Sequence, residues 1–173
     1  MKFIHYLCTI FSMCIILSLT GCGAVQKVGN ATVDMTKSVF LWDVKTFHAD
    51  FTARSELNLD DDFLPTSVVL RIYQLKNDMS FKAATYQSLV DNDVDILGDA
   101  LLATKEVILK PSSSLSLDVP LEDDTKFVGM IALYKDPDLA QDNWRLLLKR
   151  KDLNIMKAKQ IEVSQYKLIL LEE

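Results

Sequence analysis

Apolar and polar residues alternate with period two along most of the chain beyond residue 40, and that alternation predicts strands with one buried face. Over 47–54, Phe47, Ala49, Phe51 and Ala53 share one face while His48, Asp50, Thr52 and Arg54 share the other. A second strand is predicted over 67–75, with Val68, Leu70 and Ile72 aligned. Between them, Asn58-Leu59-Asp60-Asp61-Asp62-Phe63-Leu64-Pro65 breaks the alternation with turn formers and a proline. The two strands are therefore expected to form a hairpin with a decorated loop. Phe63 and Leu64 at a loop tip point to a partner more than to a core.

The period changes over 81–90, where Phe81, Ala84, Thr85 and Leu89 recur at helical spacing and Asp91-Asn92-Asp93 closes the run. A second short helical turn fits 93–102, so a helical insertion spans about 81–98. Strands resume at 103–109 and at 115–121, where Leu115, Leu117, Val119 and Leu121 give the cleanest alternation of the chain. The stretch 127–134 is apolar on both faces, as in the middle of a sandwich, and Gly129 marks a bulge or a close approach. A strand at 144–148 and a last one at 160–171, with a bulge near Ser164-Gln165, complete seven or eight strands. Short strands with turns about every ten residues predict a mainly β fold, an antiparallel β-sandwich.

The N-terminus follows another pattern. Lys2 precedes a nearly unbroken apolar run over 3–19, which leads into Leu19-Thr20-Gly21-Cys22. Small residues directly before a cysteine have a processing explanation and no packing one, so the run reads as the signal peptide of a bacterial lipoprotein (1–21) and Cys22 as its lipidated residue. The alternative, an uncleaved spanning helix, meets a run at the short end of the roughly 17–25 residues such a helix uses. Gly23, where an Asp would retain the protein in the inner membrane, points to the outer membrane and its periplasmic face. Residues 22–38 are read as a tether whose 16 residues after the cysteine reach at most about 55 Å, and 39–173 as one domain.

Losing Lys2 with the signal takes the formal net charge from −5 to −6, a balance unsuited to nucleic acid. Cys8 and Cys14 leave with the signal and Cys22 is consumed by lipid, so the mature chain is expected to hold neither a free thiol nor a disulfide. His48 is then the one histidine, placed on a polar strand face, and no Gly-x-Ser-x-Gly elbow or glycine-rich phosphate loop is present. No catalytic residue, metal site or cofactor is expected. Asp60-Asp61-Asp62 lacks the alternating ligands and glycine of a calcium loop, and Lys149-Arg150-Lys151 reads as a solvated turn.

At the second strand, Pro65-Thr66-Ser67-Val68-Val69-Leu70-Arg71-Ile72-Tyr73-Gln74-Leu75 resembles the Pro-x-x-Val-Val-x-Arg-x-Tyr-Gln-Leu stretch of the type VI secretion system lipoprotein family, TssJ or SciN. The resemblance runs on through Leu97-Gly98, Ala132-Leu133-Tyr134-Lys135-Asp136 and Trp144-Arg145. It implies a transthyretin-like sandwich under the outer membrane that binds the periplasmic C-terminal region of TssM, with multimerisation in the assembled complex left open. By the same resemblance, the partner-binding residues are Asp60, Asp61, Asp62, Phe63, Leu64 and Pro65, although the family often carries a glycine in this loop. A periplasmic lipoprotein holding a small ligand in its sandwich is the alternative, supported by the two apolar faces of 127–134.

Overall fold

The structure, a computed structural model, describes residues 43–171. Its strands are β1 (Thr46–Ala53), β2 (Val68–Leu75), β3 (Leu101–Leu109), β4 (Ser114–Pro120), β5 (Phe127–Ala132), β6 (Arg145–Lys149), β7 (Lys159–Val163) and β8 (Leu168–Leu170). Helices α1 (Met79–Ala83) and α2 (Tyr86–Leu97) lie between β2 and β3. Two four-stranded sheets form, ordered β4-β1-β7-β8 and β3-β2-β5-β6. The alternation seen in the sequence supplies the core between them. Phe47, Ala49 and Phe51 of β1 meet Leu70 and Ile72 of β2, Val128 and Met130 of β5, and Ile161 and Val163 of β7, all buried.

Three expectations are corrected. β1 and β2 do not pair as a hairpin: β1 pairs with β4 and β7, β2 with β3 and β5, so the loop between β1 and β2 crosses from one sheet to the other. The β1–β7 pairing is parallel, which makes the first sheet mixed rather than purely antiparallel. The expected last strand over 160–171 is two strands, β7 and β8, paired antiparallel across a turn in which the Ser164 N–H donates to the Lys167 carbonyl at 3.0 Å. The phase slip in its alternation marks that turn and not a bulge.

The helical insertion also differs in detail. It breaks at Ala84, and Thr85 then caps α2 through a reciprocal pair of bonds with Ser88. Asn92 (φ −154°, ψ 58°) kinks α2 instead of ending it. Both helices cover the outer face of the second sheet, which explains why β5 is apolar on both sides. Gly129 is a close approach: a Cβ there would lie 2.9 Å from the Phe81 ring of α1. Phe81 itself is buried and meets Tyr73 edge-on, with ring centroids 6.1 Å apart.

The Arg-x-Tyr-Gln residues of β2 are fasteners. Arg71 donates to Asp93 at 3.1 Å and to the Leu89 carbonyl at 3.0 Å, and the Tyr73 hydroxyl donates to Asp93 at 3.0 Å, pinning α2 to the sheet. Gln74, on the core face, donates to the Pro120 carbonyl and accepts from the Glu122 N–H and the Thr125 hydroxyl, fixing the β4–β5 turn. Arg145 stacks on Trp144 (4.9 Å to the ring centroid) and donates to the Phe81 and Ala84 carbonyls, which holds α1.

The basic cluster is likewise not simply a solvated turn. Lys149 and Lys151 are exposed, but Arg150 is buried and donates to the carbonyls of Val44, Glu122, Asp123 and Thr125 at 2.9–3.0 Å. His48 does lie on the outer face of the first sheet, as its alternation predicts, with Nδ1 2.5 Å from Asp118 of β4.

Candidate partner-binding site

The loop over 54–67 is rooted before it is exposed. Leu57 is fully buried, and Asn58, 4% exposed, sits in the left-handed region (φ 45°) that asparagine tolerates better than most residues. The Asn58 side-chain amide donates to the Thr66 hydroxyl at 3.1 Å and the Ser67 carbonyl at 2.8 Å, while its Oδ1 accepts from the Lys135 N–H at 2.9 Å. One side chain thus closes the base of the loop and ties it to the β5–β6 connection.

Above that root, Leu59 and Pro65 bridge as in a short antiparallel ladder. Asp60 Oδ1 accepts from the Asp62 N–H at 3.0 Å and the Leu64 N–H at 2.8 Å, and the Phe63 N–H donates to the Asp60 carbonyl at 2.9 Å. Of the three acids, Asp60 therefore builds the turn, while Asp61 and Asp62 are exposed at its edge. Phe63 occupies the left-handed region (φ 60°), an uncommon conformation for an aromatic residue, and is 79% exposed. Leu64 is 59% exposed. The turn holds two apolar side chains in water on a fixed frame.

The six residues expected at the site thus share one tight turn. Sequence reasoning missed what stands beside it. The connections 133–144 and 164–167 emerge at the same end of the sandwich, and the three loops enclose a groove of about 510 Å³. Leu59, Asp60, Asp61 and Phe63 line one wall, Lys135 and Asp136 a second, Gln165 and Tyr166 a third. Leu139 and Tyr166 add exposed apolar surface at this end. Asp136-Pro137 was visible as a turn and Tyr166 as an aromatic beside a phase slip, but no local signal places either next to Phe63. Cys22 lies outside the described residues.

A two-sheet β-sandwich with helices on one outer face and an apolar-tipped turn at one end defines the class: a small scaffold that presents a loop. The chain belongs to the type VI secretion lipoprotein family (VasD, EvfM, TssJ), whose model matches residues 45–167. Among solved structures, a chain of a type VI membrane complex is 42% identical, with TM-score 0.71 over 75% of this chain and 99% of that one. A chain from a structure described as the T6SS protein TssM C-terminal domain from EAEC is 40% identical, with TM-score 0.68 over 75% of this chain and 100% of that one. The T6SS lipoprotein TssJ1 of Pseudomonas aeruginosa, at 23% identity and TM-score 0.60 over 75% and 98% of the two chains, shares the fold. No curated protein matches the sequence significantly.

Proposed function

We propose that this protein is a non-enzymatic assembly lipoprotein, held in the outer membrane by acyl chains on Cys22, that binds the periplasmic C-terminal region of TssM and so ties the secretion machine to that membrane. The observation that carries the binding half is the fastened turn with Phe63 and Leu64 in water. Exposing two apolar groups on a rigid frame costs stability in the free protein and is recovered only when a partner covers them. The partner's identity is supported by the 40% identity to a chain from the structure described as the TssM C-terminal domain. Asp60, Asp61, Asp62, Phe63, Leu64 and Pro65 make the contact, and the exposed carboxylates speed encounter with a basic-rimmed surface. The small-ligand alternative loses its support, because protein covers both faces of β5.

The test is a titration of the chain against the TssM periplasmic region of the same genome, with and without 60–64. Saturable binding that the shortened loop abolishes is the expected result. Unchanged binding by the shortened chain moves the site elsewhere, and no binding by either removes the assignment.

A further inference from the structure

At the opposite end of the sandwich from the groove, a second apolar tip stands in water. Here β1 begins, the β4–β5 turn packs, and the chain passes from β6 to β7 through 153–158. Arg150 and buried Leu153 root this connection. Asn154 Oδ1 accepts from the Met156 N–H at 2.8 Å and the Lys157 N–H at 3.1 Å, which fixes a turn with Ile155 and Met156 at its outside. Ile155 is 40% exposed and Met156 92%. No role in the fold or in the groove accounts for them.

We propose that Ile155 and Met156 enter the interfacial layer of the same bilayer that holds the acyl chains of Cys22, so that the domain stands on its membrane on this end. The proposal rests on the lipid-anchor reading. Its occupant is set by where the chain enters the domain: Arg150 Nε binds the Val44 carbonyl, and the Leu121 N–H donates to the Lys45 carbonyl, so the segment arriving from Cys22 reaches the sandwich at this end. Twenty-one residue steps separate Cys22 from Asp43, a span of at most about 75 Å. A tether of that reach makes membrane contact an intramolecular event, in which two weakly inserting side chains suffice.

Charge does not carry the contact. Lys151 and Lys157 flank the tip, but Asp152 and the Glu122-Asp123-Asp124 turn share this end, and Lys45 is paired with Asp123 at 3.1 Å. Insertion is therefore apolar and insensitive to salt, while the lysine stems can keep their ammonium groups at headgroup level. The eight residues of β1 separate this end from the groove by about 25 Å. Standing on 153–158 would aim Phe63 and Leu64 away from the membrane.

Because the mature chain offers no other thiol once Cys22 is acylated, Met156→Cys accepts a single polarity-sensitive dye such as NBD. The lipidated full chain would be reconstituted into phosphatidylethanolamine–phosphatidylglycerol vesicles, with Asp61→Cys labelled as the reference for the other end. The expected result is blue-shifted emission at 156, with iodide quenching several-fold weaker than at 61, unchanged between low and molar salt, and lost when Ile155→Asp is added. Equal quenching at 156 and 61 in protein that floats with the vesicles overturns the docking while leaving the anchor intact. A shift that survives Ile155→Asp belongs to the dye and also overturns it. Failure to float removes the anchor reading and the docking with it.

Discussion

Two tyrosines in contact make opposite use of their hydroxyls. Tyr86 donates to the Tyr134 carbonyl at 2.6 Å, whereas the buried Tyr134 hydroxyl has no hydrogen-bond partner among the described residues. A buried polar group without a partner costs stability, so Tyr134→Phe is expected to stabilise the fold by about 1 kcal/mol and Tyr86→Phe to cost about as much. Denaturant titration at neutral pH checks both signs. Burial pushes the Tyr86 hydroxyl up to about 12 and raises those of Tyr73 and Tyr134 further. The folded chain therefore keeps protons that the unfolded chain releases near pH 10, so stability is intact below that pH and falls as pH rises above it. Tyr134→Phe should flatten the fall; an unchanged slope would show that Tyr134 is not among the titrating groups. In the loop, Asp60 shapes the turn, and the proposed contact is made by Phe63, so Phe63→Ala should weaken TssM binding by about 2 kcal/mol and Asp61→Asn or Asp62→Asn by under about 1 kcal/mol. Equal losses by calorimetry would contradict this division. Asn58→Ala removes the fastener and should lower both the melting temperature and the affinity, with the Lys135 N–H left unpaired.

Elements show how far the alternation reached. It identified the strands and their buried faces because a face is a local property, written in successive side chains. Which sheet a strand joins is set by distant partners. Thus 47–54 and 67–75 read as a hairpin, although β1's neighbours are β4 and β7. For the same reason the β1–β2 turn was legible as an exposed candidate, since its acids and apolar pair break a local pattern, while Lys135, Asp136, Gln165 and Tyr166, which line the groove beside it, were not. Gly129 is a case where sequence posed the question and packing answered it. The Phe81 ring is clamped between Tyr73 and the Arg145 guanidinium, 5.8 Å from its centroid, so it cannot yield to a new methyl group. Gly129→Ala should then cost about 1–3 kcal/mol by displacing α1 from the sheet. Adding Phe81→Leu should recover part of that loss; if the two costs simply add, the close approach is not the reason for the glycine.

At the scale of the molecule, the sandwich separates its two exposed tips and leaves each with its own root. Phe63 depends on Asn58, the Asp60 turn and the Leu59–Pro65 bridge, whereas Met156 depends on Arg150, Leu153 and Asn154. No residue belongs to both sets, and the length of β1 keeps them well beyond the roughly 7–10 Å within which substitutions couple. Phe63→Ala should therefore weaken TssM binding by the same free energy whether or not Met156→Ser is present, to within about 0.5 kcal/mol, when the proteins are titrated in detergent. On vesicles the proposed docking predicts that the sum fails, because a domain without that footing would tilt and withdraw its loop end from TssM. A Met156→Ser variant with normal affinity in detergent and reduced binding on vesicles would tie the two ends into one device. Normal binding in both settings would confine function to the loop end.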